Sequence, residues 1–253
     1  MKRPELTAYL DRELNLAAFP GDASNNGLQI EGGAEVNRML FGVDGCLALF
    51  RYAAEGKFDF VFVHQGISWG GEPRRWTGIH AERFRTMFGS DISLYGVHLP
   101  LDAHPELGNN ARLSALAGLA ELEPFCNYHG YDIGFLGRTR QLVTAAGLAG
   151  ELEAKLNTSS RLIADSGRTL RRVAVVSGGG GMDALEQAAA AGADLLITGE
   201  LEHVMYHPAY ELGMPVLALG HYATETVGPK AVMERVRKEF GLECEFADYP
   251  TGL

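Results

Sequence analysis

The chain predicts an α/β fold, two similar α/β lobes from an internal duplication, on three observations. Apolar β-forming runs alternate with helix-length segments along most of the chain, the pattern of strands paired largely in parallel. The pattern also occurs twice: Arg38 to Asp44 (RMLFGVD) matches Arg172 to Ser177 (RVAVVS), and Phe58 to His64 (FDFVFVH) matches Ala193 to Gly199 (ADLLITG). The spacing is kept, 21 residues from Arg38 to Asp59 and 22 from Arg172 to Asp194. Finally, each half carries an apolar strand followed by a histidine and, four residues on, a carboxylate: Leu94 to Val97 with His98 and Asp102, and Val216 to Gly220 with His221 and Glu225. Such self-similarity implies a duplicated unit whose equivalent strand ends meet across a cleft. That cleft would gather His64, His98, Asp102, His221 and Glu225, a donor set suited to a dinuclear metal site. The expected division is 1–130 and 131–253, two intimately packed lobes.

The elements follow in order. Leu6 to Phe19 has apolar residues at helical spacing and stops at Pro20-Gly21, which predicts a helix. Asn25-Asn26-Gly27 turns the chain into a short strand over Leu28-Gln29-Ile30. The first repeat reads strand Arg38 to Val43, helix Cys46 to Glu55, strand Phe58 to Val63, helix Ile79 to Phe88 and strand Ile92 to Val97. His98 to Gly108 reads as loop, because Pro100 and Pro105 disfavour the α conformation in the residues before them. Asn109-Asn110 is a cap for a helix over Ala111 to Leu119. A strand over Tyr131 to Gly137 and a helix over Thr139 to Leu156 precede the second repeat. That repeat reads strand Arg172 to Ser177, helix Met182 to Ala191, strand Asp194 to Thr198, helix Val204 to Leu212 and strand Val216 to Leu219. A helix beginning near Pro229 and continuing over Val232 to Phe240, then a strand over Glu243 to Phe246, complete the chain.

Composition narrows the function classes. With 253 residues, 46% hydrophobic and 21% charged, the chain can bury a substantial core. A net charge of -10 opposes sequence-independent attraction to phosphate backbones, so nucleic acid is not expected as a partner. Cys46, Cys126 and Cys244 lie far apart without CxxC spacing, which suggests neither a disulfide framework nor a thiolate zinc site. No apolar run reaches the roughly 18 residues of a membrane span, and the first residues lack a signal-peptide core. The expected location is cytoplasmic.

Imidazole suits Zn, Fe, Ni or Cu, and carboxylates extend the choice to Mn and Mg. His221 and Glu225 share a face if a helix starts near Ala223, which serves a metal or simply a helix N-terminus. Asp102 has the same two readings, ligand or turn cap. Gly178 to Gly181, between a strand and a helix, allows a phosphate cradle or a tight turn. Trp69 and Trp76 would stack on a planar ligand, or their loop would bury against the core or a neighbouring subunit.

The blocks VHQGISWGG, LYGVHLPLDAHPELGNN, ITGE and GHYATE, with NNGLQI near the start, closely resemble the YbgI/YqfO family, catalogued as GTP cyclohydrolase 1 type 2 homologues. The resemblance spans essentially the whole chain, in the short form without an inserted domain. It implies paired α/β lobes, two divalent metal ions per subunit (Zn, Fe, Mn or Ni) and assembly into a toroidal homohexamer. It places the ligands on His64, Asp102, His221 and Glu225. Where the family usually has a second histidine after the first, this chain has Gln65, a poorer donor for a borderline ion. His98 and Glu200 fall outside that ligand set, in supporting or proton-transfer roles. The implied activity is a metal-dependent hydrolase of the GTP cyclohydrolase type, acting on a small-molecule substrate such as GTP. A metal-carrying or metal-sensing scaffold, a metallochaperone and a dinuclear phosphoesterase are the alternatives, because fold kinship does not fix chemistry.

Overall fold

The computed structural model describes residues 1–70 and 75–253 and divides into two compact units. Unit 1 comprises Met1–Leu101 and Gly228–Tyr249; unit 2 comprises Asp102–Val227 and Pro250–Leu253. In unit 1 the order is α1 (Arg3–Glu13), β1 (Gly27–Ile30), β2 (Arg38–Asp44), α2 (Leu47–Glu55), β3 (Phe60–Gln65), α3 (Ile79–Gly89), β4 (Ser93–Gly96) and the start of α4 (Leu99–Ala103). Unit 2 continues with α5 (Asn109–Leu116), β5 (Leu119–Tyr128), β6 (Tyr131–Thr144), α6 (Ala145–Leu156), β7 (Arg161–Ile163), β8 (Thr169–Val176), α7 (Gly181–Ala190), β9 (Leu195–Thr198), α8 (Tyr206–Leu212), β10 (Val216–Ala218) and α9 (His221–Glu225). The chain then returns to unit 1 with α10 (Val227–Phe240) and β11 (Glu243–Phe246).

Among the described residues the sheets run β1-β4-β3-β2-β11 in unit 1 and β5-β6-β8-β9-β10-β7 in unit 2. Each contains three parallel strands joined through helices, with an antiparallel strand beside the third: β2, β3, β4 with β1, and β8, β9, β10 with β7. Even the entry to the second strand is matched. Asp59 accepts from the backbone N–H groups of Asn37 and Arg38, and Asp194 from those of Arg171 and Arg172. The Arg38 guanidinium donates to the carbonyl of Gly56, as that of Arg172 does to Ala191.

Because helices cover a parallel sheet, its strands are buried nearly without interruption rather than alternately. β2 and β3 show this, with Met39 to Val43 and Phe60 to His64 all buried. In unit 1 Leu40, Val61, Val63 and Leu94 of the strands pack with Leu49, Phe50, Ala53 and Met87 of the helices. The Phe62 ring contacts those of Phe41 and Tyr95, and the Tyr95 hydroxyl donates to Asp11 of α1. Unit 2 packs one cluster around Leu148, Leu152, Val173 and Ile197 and another around Ala184, Leu185, Ala174 and Leu196.

Several expectations are corrected. The compact units do not follow the linear halves: a boundary at 130 cuts the β5–β6 hairpin, and β11 pairs in parallel with β2, returning the last helix and strand to unit 1. The stretch after His98 is not all loop, since α4 accommodates Pro100 in its first turn, where no amide hydrogen bond is lost. Asn109 and Asn110 lie inside α5 rather than capping it; Gly108 is the N-cap residue and both amide side chains are used elsewhere. Residues 139–144 continue β6 instead of opening a helix, and Thr144 caps α6 by accepting from the Gly147 N–H at 3.2 Å. The first helix ends at Glu13, where Asn15 adopts a left-handed conformation (φ 51°) before a single 3-10 turn.

Candidate metal centre

His64 is the fifth residue of β3 and fully buried, with its Nδ1 2.9 Å from the Val97 carbonyl. A carbonyl only accepts, so Nδ1 carries the proton and the lone pair sits on Nε2. His98 follows β4, and Asp102 is on α4, one helical turn further. Asp102 is 6% exposed, and its Oδ1 accepts from Asn109 Nδ2 at 2.9 Å and Ser177 Oγ at 3.1 Å. Asn110 ties this region down, accepting from the Ser177 N–H at 2.6 Å and donating to the Ile133 carbonyl at 2.7 Å. His64, His98 and Asp102 each bring one ligand atom to within 4.8 Å of the others.

His98 is gripped from the loop that carries Asp22 and Asn26. Its Nδ1 lies 3.0 Å from Asp22 Oδ1, and its backbone N–H donates to Asn26 Oδ1 at 2.8 Å. Burial pulls the Asp22 pKa upward, but hydrogen bonds from His98, Asn26 and the Ser24 N–H outweigh it and hold the carboxyl at about 2. Trp69 meets the His98 ring edge-on at 5.0 Å and donates its indole N–H to the Gly66 carbonyl. Trp76 meets Phe84 of α3 edge-on at 4.6 Å but remains about half exposed; residues 71–74 of the loop lie outside the described set.

A second donor pair lies within unit 2. His221 opens α9 and Glu225 closes it, placing His221 Nε2 2.9 Å from Glu225 Oε1. On the other side Glu200 Oε1 is 2.5 Å from His221 Nδ1. The Glu225 hydrogen bond, opposed by burial and reinforced by Glu200, pushes the imidazole up to about 9. In metal-free protein this pairing adds stability that is complete below the ordinary histidine pKa of 6.5 and lost as pH rises through about 9.

The glycine run beside this pair is a tight turn. Gly178 (φ 62°) faces Glu225 Oε1 and His221 Nε2, and a Cβ there would collide with the carboxylate. Its N–H donates to Thr224 Oγ1 and that of Gly180 to Thr198 Oγ1, so two amides of the supposed phosphate cradle are already committed. Gln65 is the half-buried last residue of β3; its carbonyl accepts from the Gly45 N–H at 2.7 Å.

The resemblance implied one ligand set of His64, Asp102, His221 and Glu225, with His98 and Glu200 outside it; among the described residues the close donor group is His64, His98 and Asp102. His98 joins His64 and Asp102, while Glu200 supports His221. Asp22, Asn26, Asn109 and Ser177 were missed. Asp22 and Asn26 sit in a polar turn that reads as local punctuation, and their partner His98 is over 70 residues away.

Two imidazoles and a carboxylate fit a divalent ion. Each imidazole is held through Nδ1 by a carbonyl or carboxylate, as ligating histidines usually are.

The sequence model of the family described as Duf34/NIF3 (NGG1p interacting factor 3) matches residues 1–251. Relatives named "GTP cyclohydrolase 1 type 2 homolog" include one from Pyrococcus abyssi, 44% identical with all of both chains covered. Another, from Deinococcus radiodurans, is 40% identical over 99% of this chain and 94% of its own. Among solved structures, the protein ybgI superposes with a TM-score of 0.92 at 37% identity, and a Thermus thermophilus protein, TTHA1606, with 0.91 at 38%, each covering both chains completely.

Proposed function

Because the chain belongs to the Duf34/NIF3 family, we propose that it is a metal-dependent hydrolase acting on a purine nucleotide, with His64, His98 and Asp102 holding one divalent ion and His221 with Glu225 offering donors to a second. The observation that carries the reading is the convergence of buried His64 and Asp102 with half-buried His98. The substrate class comes from the name of the relatives. Divalent ions so held supply Lewis acidity and a water acidified to neutral pH. The chain's own residues do the rest. Asp102 brings negative charge at a position fixed by Asn109 and Ser177. Glu200, hydrogen-bonded to His221 and about half exposed, orients that ring and passes protons to solvent. Hydrolysis of GTP would consume two waters: one opens the ring by cleaving the C8–N9 bond, and one releases the C8 carbon as formate.

The test is turnover of GTP by metal-replete protein, assaying formate and phosphate separately. Formate supports the proposal, phosphate alone indicates a phosphoesterase, and neither product from the metal-loaded protein indicates a carrier or scaffold.

Two outcomes follow from the site. Below about 9, binding at His221 must displace a proton, so the affinity of that donor set should rise about tenfold per pH unit between neutrality and that value. Calorimetric titration in buffers of different ionisation enthalpy would count the proton released. Chelation should leave the fold intact, because the core clusters described above are built from apolar residues outside the donor sets. The stability lost should be the linkage contribution, about 3 to 4 kcal/mol at a hundred- to thousandfold metal excess over Kd. Thermal melts with and without chelator measure it, and loss of far-ultraviolet dichroism at ambient temperature would instead make the metals structural.

A further inference from the structure

We propose that Asp22, supported by Asn26, is a positioning residue that locks His98 in the Nδ1–H tautomer and so presents its Nε2 as a donor to a divalent cation. The proposal rests on the metal reading above, and extends it to residues in a loop remote in sequence. The Asp22 side chain is 1% exposed, yet every hydrogen bond it makes is to a donor or to His98. Oδ1 accepts from the Ser24 N–H at 3.1 Å and faces His98 Nδ1 at 3.0 Å. Oδ2 accepts from Asn26 Nδ2 at 2.8 Å and the Leu99 N–H at 3.0 Å. The orientation of Asn26 is fixed independently, because its Oδ1 accepts the backbone N–H of His98. Two residues thus hold His98 by its ring and its amide, and hold the next amide at Leu99. With acceptor-only oxygens facing the ring, Nδ1 must donate, and the lone pair falls on Nε2.

Asp22→Asn keeps the shape and changes the logic. An amide oxygen placed at the Oδ2 position satisfies Asn26 and Leu99 and points its NH₂ at His98 and the Ser24 N–H, leaving one donor opposed. The reverse orientation opposes two donors, Asn26 Nδ2 and the Leu99 N–H. The first arrangement is therefore preferred, and it supplies a donor to His98 Nδ1, moving the ring proton to Nε2. A cation would then meet an N–H instead of a lone pair.

The experiment is long-range proton–nitrogen NMR on metal-free protein carrying isotope-labelled histidine, above the ordinary imidazole pKa, paired with Co²⁺ titration. Wild type should show His98 protonated at Nδ1. Asp22→Asn should show it protonated at Nε2, with Co²⁺ affinity lowered about 10- to 100-fold. Wild-type His98 protonated at Nε2 overturns the proposal, a result that stands even if the variant does not fold. A folded Asp22→Asn with an unchanged tautomer or unchanged affinity also overturns it. Wild type that holds Nδ1–H but binds no Co²⁺ leaves the clamp in place and removes its metal purpose, which refutes the metal reading and, with it, the claim that His98 is presented to a cation.

Discussion

Asp102→Ala should lose the ion held with His64 and His98, with an affinity loss above about 100-fold, beyond what changes to supporting residues produce. Asp102 is the only anionic donor of the three, so its removal takes away charge as well as a ligand. The same substitution removes the acceptor that Asn109 Nδ2 and Ser177 Oγ share, in surroundings where both residues are buried. Two buried donors deprived of that acceptor cost about 2 to 5 kcal/mol together. Asp102→Asn separates the effects, since an amide oxygen still accepts from both while the charge is gone. It should melt close to wild type and still bind metal poorly. Comparing melting curves and Zn²⁺ titrations of the two variants would show this, and equal metal loss without the stability difference would remove the role given to Asn109 and Ser177.

Gly199→Ala should be among the most destabilising single-methyl additions in unit 2. A Cβ there would lie 2.6 Å from the Gly178 carbonyl oxygen, 2.8 Å from the His221 Cα and 2.8 Å from Thr224 Oγ1. Two of these are backbone atoms that no rotamer change can move aside. The Gly178 carbonyl also accepts from the Gly199 and Glu200 N–H groups, so relief of the clash breaks the turn that faces Glu225. Overpacking of this kind costs about 1 to 3 kcal/mol, with backbone neighbours placing this site at the upper end. It should also perturb the raised His221 titration, because His221 and the Gly178 turn shift together. Denaturant unfolding and proton NMR of His221 would report both, and a variant as stable as wild type would mean that the turn yields more easily than its geometry indicates.

The parallel strands of both sheets were legible because burial on both faces makes them read as unbroken apolar runs, as in Phe60 to Val63 and Leu195 to Ile197. Their histidine and carboxylate endings were legible for the same reason, as polar residues terminating such runs. What was hidden depends on partners distant in sequence. β5 carries Glu121, Glu123 and Pro124 on a largely exposed strand whose pairing with β6 is irregular, so no clean alternation marks it. Asn109 and Asn110 looked like caps because that is their commonest local role; only the fold brings Asp102, Ile133 and Ser177 to them. Asp22 is the sharpest case, since locally it only accepts from the Ser24 N–H, while His98 and Leu99 arrive from the end of β4.

The account turns on whether His64, His98 and Asp102 hold a divalent ion, and equilibrium dialysis of metal-free protein against Zn²⁺ tests this most directly. Wild type should retain the ion saturably, and folded Asp102→Asn should retain one fewer per chain. Equal retention by the two proteins, or none by wild type, would contradict it.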